Sequence, residues 1–130
     1  MECEPSKRIS KIIDHLRTIA EDISPIRGAR VAAAIVLKNK IVGLGSCSMK
    51  THPFQAKFSR DKHSIHEHAE VSAIKNAIRR VGVDALSNSI LIVVRRKHDQ
   101  NGKWVDGCAK PCTGCQRAIE HYKIKLTIHT

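Results

Sequence analysis

Aromatic side chains are scarce: one Trp, one Tyr and two Phe make up 3% of the 130 residues. Platforms that stack single-stranded nucleic-acid bases usually need several rings, so this composition weighs against one. Long apolar runs are missing too. The best, VAAAIVL from Val31 to Leu37, is strand length and far short of the roughly 20 residues of a membrane-spanning helix. The opening MECEPSKR has no apolar stretch of signal-peptide type. Acidic residues are outnumbered, 12 Asp plus Glu against 23 Lys plus Arg, for a net charge of +11. Such a surface attracts anions, whether nucleotide phosphates, nucleic acid or acidic membrane, and does not choose among them. The five cysteines are an odd number. A chain of this size does not need disulfide staples, so a reducing, cytoplasmic setting is expected, with clustered cysteines serving metal or catalysis.

What is present is an ordinary folding composition, 42% hydrophobic and 27% charged, suited to a single domain over residues 1–130. Ile9, Ile12, Ile13, Leu16, Ile19, Ala20 and Ile23 lie at helical spacing, which predicts an amphipathic helix over about residues 6–23. Arg30 to Leu37 reads as a buried strand, turning at Asn39-Lys40 into a second strand, Ile41 to Gly45. Ser46 to Ile65 is a long stretch without periodicity, and loops of that length are more often functional than idle. His68 to Val81 is a second helix and Ser89 to Val94 a continuous apolar strand. Arg95 to Gly107 is polar, with a hairpin-type turn at Asn101-Gly102 and a return arm, Lys103-Trp104-Val105. Pro111 is expected to open a third helix reaching His121, and Ile124 to Ile128 alternates as a last strand. The order α-β-β-α-β-α-β implies a mostly parallel mixed sheet of about four strands, with an antiparallel N-terminal hairpin and helices on both faces.

Two segments stand apart, each at an expected helix start: His66-Glu67-His68-Ala69-Glu70 and Pro111-Cys112-Thr113-Gly114-Cys115. Three-residue spacing on a first helical turn points the Cys112 and Cys115 sulfurs to one side. A helix N-terminus favours thiolate, because its free N–H groups and dipole stabilise negative charge. Two thiolates plus one imidazole make a three-donor site suited to zinc, with a fourth position for water. Glu70 lies two positions beyond His68, splayed by about 200° in mid-helix. It is therefore read as the carboxylate that moves protons while the metal lowers the pKa of water.

These residues match the H-x-E and P-C-x-x-C pattern, and the chain resembles the zinc-dependent cytidine and deoxycytidylate deaminase superfamily. The basic Lys50-Thr51-His52-Pro53 loop and the long insertion after the third strand are most similar to small deoxycytidylate-deaminase-like proteins of phages and large viruses. The resemblance spans about Val31 to Ile128 and implies a three-layer α/β/α sandwich. It implies Zn2+ held by His68, Cys112 and Cys115, with Glu70 as general acid/base. Water activated at the metal would attack C4 of cytosine, and Glu70 would pass a proton to ring N3 and then to the leaving amine. The Ala69 N–H would hold the pyrimidine carbonyl, with Pro111 beside it.

Three departures qualify that picture. Where many members carry a sugar-orienting asparagine, this chain reads Ser46-Cys47-Ser48. His68 and Cys112 are 44 positions apart, a distance stretched by the Arg95–Lys110 insertion. After the last expected strand the chain ends at Thr130, where larger relatives continue, so a sheet edge that is either bare or covered by a partner chain is expected.

Several residues keep two readings. Cys108 could close a structural zinc knot with Cys112, Cys115 and a histidine. His66 is a substitute ligand or a loop histidine. Lys50, His52 and Lys57 bind a substrate phosphate or form a solvated basic loop. Arg95-Arg96-Lys97 meet a phosphate or face solvent, and Trp104 lids the pocket or packs under the hairpin. The leading function is hydrolytic deamination of a cytosine-containing nucleoside or nucleotide, by a homo-oligomer without membrane association. The alternatives are a deaminase acting on a base within RNA or single-stranded DNA, and a non-catalytic nucleic-acid-binding protein with structural zinc.

Overall fold

A computed structural model of the chain describes residues 7–21, 30–46 and 68–130. Helix α1 (Lys7–Glu21) buries Ile9, Ile12, Leu16 and Ala20, the stripe set by their three- and four-residue spacing. Strand β1 (Arg30–Leu37) turns through Lys38 and Asn39, with φ of 51° and 65°, into β2 (Lys40–Ser46). Two successive left-handed residues make the tight hairpin whose twist suits paired strands. The turn thus falls one residue earlier than expected. Next come α2 (Ala69–Val81), a 3-10 turn over Asp84–Asn88, β3 (Ile90–His98), β4 (Trp104–Gly107), α3 (Thr113–His121) and β5 (Leu126–His129).

The three-layer α/β/α frame and the mixed sheet are as expected. Strand alternation divides the interior between two faces. Ala32, Ala34, Val36, Ile92 and Val94 pack under α1, while Ala33, Ile35, Leu91 and Val93 pack with Val71, Ile74 and Ala77 of α2 and Ala118 of α3. Each fully buried large side chain contributes about 1.5–3 kcal/mol.

The sheet departs from the sequence expectation in two respects. The order is β2-β1-β3-β4, with β5 also on β3, giving five strands among the described residues. Of their pairings only β3–β5 is parallel; β1–β2, β1–β3 and β3–β4 are antiparallel. The sheet is therefore not mostly parallel. The crossover through α2 sets β3 beside β1 instead of β2, so β2 and β3 run the same way with β1 between them. The extra strand comes from the polar insertion. There Asp99 accepts from the Asn101 and Lys103 N–H groups, closing the turn that returns β4 along Arg95–His98. Strand β5 uses the same edge of β3 along Ile90–Val93, and Thr130 joins the two. Its hydroxyl accepts from the Arg95 N–H at 3.2 Å and donates to the Gly107 carbonyl at 2.8 Å.

Helix α2 lies directly on β2. A Cβ on Gly45 would sit 2.5 Å from the Ala73 nitrogen, and one on Gly43 would sit 2.7 Å from the Ala77 nitrogen. On the opposite face, Asp106 of β4 binds Arg17 of α1 at 2.8 Å and Arg96 of β3 at 2.7 Å, while Arg96 also reaches Glu21 at 2.8 Å. The Arg17 hydrogen bond, then that of Arg96, hold the Asp106 carboxyl below its ordinary value of 3.8, against partial desolvation. A lowered folded-state pKa gives stability that is present above the unfolded value and lost as pH falls through the folded one. Asp106 is one-third exposed, so solvent screening leaves about 1 kcal/mol at most. Asp106→Asn is expected to lower the unfolding free energy from urea titration at pH 7 by up to that amount and to flatten the acid limb. A wild-type acid limb retained in the variant would remove this assignment. Among the described residues no helix is long and apolar enough to cross a membrane.

Candidate metal centre and active site

The two motifs converge where helices α2 and α3 begin. His68 is the N-cap of α2 (φ −89°, ψ 155°) and Cys112 the N-cap of α3 (φ −71°, ψ 172°). The first helical bonds, Ser72 N–H to the His68 carbonyl and Gln116 N–H to the Cys112 carbonyl, close at 2.9 and 2.8 Å. Helix α3 thus starts after Cys112, and Pro111 precedes the cap instead of opening the helix. The extended ψ of an N-cap swings its side chain out of the helical path, which lets His68 and Cys112 turn toward each other. Neither side chain caps its own helix with a hydrogen bond.

The His68 Nδ1 lies 3.4 Å from the Cys112 sulfur and 3.4 Å from the Cys115 sulfur. All three donor atoms lie within 4.8 Å of one another. Zinc bond lengths and tetrahedral angles put nitrogen and sulfur ligands about 3.6 Å apart, so the cluster is compatible with zinc. Three donors leave such an ion one position for solvent. Cys108, the candidate fourth ligand of a structural knot, stands outside this group and is exposed.

The electrostatics suit a cation. The Cys115 thiol, donating to the Cys112 sulfur, and the His68 ring hold Cys112 down to about 4 against desolvation. A thiolate is the form that binds metal. The Cys112 hydrogen bond raises His68, with burial opposing, so a metal must displace a firmly held proton. Glu70 is 7% exposed, and burial raises its carboxyl above the ordinary range. Its own N–H and the His68 charge pull the other way.

A cavity of about 240 Å³ opens on this cluster, lined by Val31, His68, Ala69, Glu70, Arg95, Cys108, Ala109, Lys110 and Cys112. The expected contributors Ala69 and Glu70 are in its wall, whereas Pro111 is buried between two lining residues. Ser46 closes β2 opposite Ala32 and is not part of the lining. Cys47, Ser48, Lys50 and His52, with Lys57 and His66, lie outside the described residues. Trp104 packs on the hairpin, its ring centre 3.9 Å from that of His98, with the Arg30 guanidinium 5.0 Å away on its face.

Three lining residues, Val31, Ala109 and Lys110, are not assigned to the site by the sequence alone. Ala109 and Lys110 belong to the insertion, and hydrophobic spacing carries no signal for where a segment folded back by strand pairing comes to rest. Gly43 and Gly45 were also passed over as ordinary strand residues, although each lets the α2 backbone approach β2.

One imidazole and two cysteine sulfurs, beside a buried carboxyl group in a small cavity, define a zinc-binding hydrolytic centre on an α/β/α frame. The sequence carries that definition further, matching the cytidine and deoxycytidylate deaminase zinc-binding region over residues 6–130, and the chain belongs to this family. A search of curated protein sequences finds no significant match. Among solved structures, the dCMP deaminase of cyanophage S-TIM5 superposes with a TM-score of 0.63 at 16% identity, over 96% of this chain and 84% of that one. Guanine deaminase from Bacillus subtilis gives 0.57 at 22% identity over 93% of this chain, which spans 62% of that protein. A tRNA:A34 deaminase studied for A-to-I editing gives 0.58 at 17%, over 93% and 75%. At these identities the likeness is one of fold.

Proposed function

We propose that the protein deaminates the cytosine base of a pyrimidine nucleoside or nucleotide by hydrolysis, giving the uracil product and ammonia. The observation that carries this reading is the placement of Glu70, buried in the wall of the same cavity as His68 and Cys112. A structural metal site has no use for such a carboxylate. The cyanophage neighbour, whose structure holds dCMP and dUMP, supports the pyrimidine-nucleotide class.

His68 Nδ1 and the Cys112 and Cys115 sulfurs would hold zinc, which when bound supplies water of lowered pKa. Glu70 takes a proton from the attacking water and delivers it to ring N3 of cytosine. It then takes the remaining proton from the new C4 hydroxyl and passes it to the exocyclic amine, so the C4–N bond breaks, ammonia leaves and the C4–O bond becomes the carbonyl of uracil. The elevated carboxyl pKa suits a group that must both accept and release a proton near neutrality. Ala69 is the first residue of α2, where an N–H has no partner within the helix, and this donor orients the base carbonyl.

Deamination within a polynucleotide gains less support. A basic groove of about 820 Å³ with Lys7, Arg8, Lys11, His15 and Lys40 lies along α1, across the sheet from the metal cluster. A strand bound there would have to round the sheet edge to present a base. The test is a panel of cytidine, deoxycytidine, CMP, dCMP, guanine and a cytosine-containing oligonucleotide. Turnover of a small cytosine compound is expected, lost after dialysis against chelator and restored by zinc. Conversion of guanine or of the oligonucleotide alone would overturn the reading.

A further inference from the structure

The insertion that lengthens the path from His68 to Cys112 brings a cation into the active-site cavity. Strand alternation separates two neighbouring arginines. Arg96 shares the α1 face with Ile92 and Val94 and is neutralised by Glu21 and Asp106. Arg95 shares the opposite face with Leu91 and Val93 and enters the cavity lining with Glu70 and Cys112. Its Nε is buried and, among the described residues, has no hydrogen-bond partner. The space it occupies depends on Gly107 directly across β4, where a Cβ would stand 3.0 Å from the Arg95 Cδ and 3.2 Å from its Cγ. Lys110, from the same insertion, adds a second cation to the lining.

Arg95 and Lys110 thus place two cations in the wall of one small cavity. A neutral cytosine or ribose offers nothing to balance that charge, and an unmatched guanidinium facing a neutral ligand wastes its fork of donors. We propose that Arg95, with Lys110, recognises the phosphate of a nucleoside monophosphate and makes the protein selective for nucleotide over nucleoside. This deepens the reading above and rests on it for the identity of the base. Arg95 is a specificity residue and takes no part in proton transfer.

Binding is measured apart from turnover, by calorimetry on zinc-loaded protein with dUMP, deoxyuridine and a short deoxyuridine oligonucleotide. Wild-type protein is expected to bind dUMP at least about 10-fold more tightly than deoxyuridine. Arg95→Gln is expected to weaken dUMP by about 10- to 100-fold, the usual loss of a hydrogen bond to a charged group, and deoxyuridine far less. Arg95→Lys, which keeps charge without the planar fork, falls between them. Gly107→Ala, which crowds the Arg95 stem without removing its charge, shifts dUMP binding in the same direction. In turnover of dCMP, the rise in KM for Arg95→Gln exceeds the fall in kcat. Equal weakening of dUMP and deoxyuridine overturns the proposal, as does an unchanged dUMP affinity or a defect confined to the oligonucleotide. If Arg95 governs dUMP binding but no cytosine compound is converted, the deamination reading falls and the phosphate site stands.

Discussion

Glu70→Gln is expected to lower kcat by about 1,000-fold, within the range that a positioned proton carrier supplies. Glutamine matches glutamate in size, so the packing of α2 against the cavity is kept and zinc content by elemental analysis stays at the wild-type value. The effect is therefore chemical and not structural. Stability moves the other way. Burial raises the Glu70 carboxyl, and a raised folded-state pKa means that ionisation at neutral pH opposes folding. In metal-free protein the neutral amide removes that penalty, and the denaturation midpoint of Glu70→Gln at pH 7 is expected to rise. A variant that keeps full activity, or that loses zinc along with activity, would remove Glu70 from the role assigned to it.

The second large effect concerns a residue with no side chain. Gly45→Ala is expected to destabilise the protein by about 3 kcal/mol, the upper part of the ordinary range for overpacking. The added Cβ would meet the Ala69 carbonyl, the Ala73 nitrogen at 2.5 Å and the Ser72 Cβ at 2.8 Å. Two of these are main-chain atoms of α2, so relief requires moving the helix and not rotating a side chain. Helix α2 carries Glu70 and is capped by His68, so zinc affinity is expected to weaken along with the urea midpoint. A Gly45→Ala protein with wild-type stability would show that α2 and β2 are less closely packed than the distances state.

The elements themselves follow from local chemistry. The α1 stripe, the bounds of β1 and the apolar run of β3 are legible because spacing at 3.6 or 2 residues reports which face is buried. The metal donors are legible for a different reason. Their residue types are rare outside such chemistry, and their placement at two helix starts is signalled by the proline and by the onset of helical spacing. Pairing is another matter. Nothing in β3 says whether its neighbour is β1 or β2, because both are apolar strands of similar length joined by a hairpin. Residue burial records that a strand is covered and is blind to which strand lies beside it.

The fate of the Arg95–Lys110 segment shows the same limit. The hairpin signal at Asn101-Gly102 is legible there, but the polar composition hides how far the strand runs: nine residues from Ile90 to His98 form one strand, and the return arm pairs with its distal end. Cross-strand hydrogen bonds and the Thr130 junction hold it, and these join residues far apart in the chain. The same pairing assigns Arg95 to the cavity and Arg96 to the Glu21 and Asp106 carboxylates, one residue apart and on opposite faces.

By itself, then, the order of amino acids determined the helices, most strand boundaries, the zinc-type donor set and the acid beside it, since each is written in local spacing or residue chemistry. Tertiary structure alone decided the strand order, the mixed directions of the sheet, the closeness of α2 to β2 and the arginine in the cavity. Those depend on which surfaces meet after the chain folds, and contact between distant segments leaves no period in the sequence.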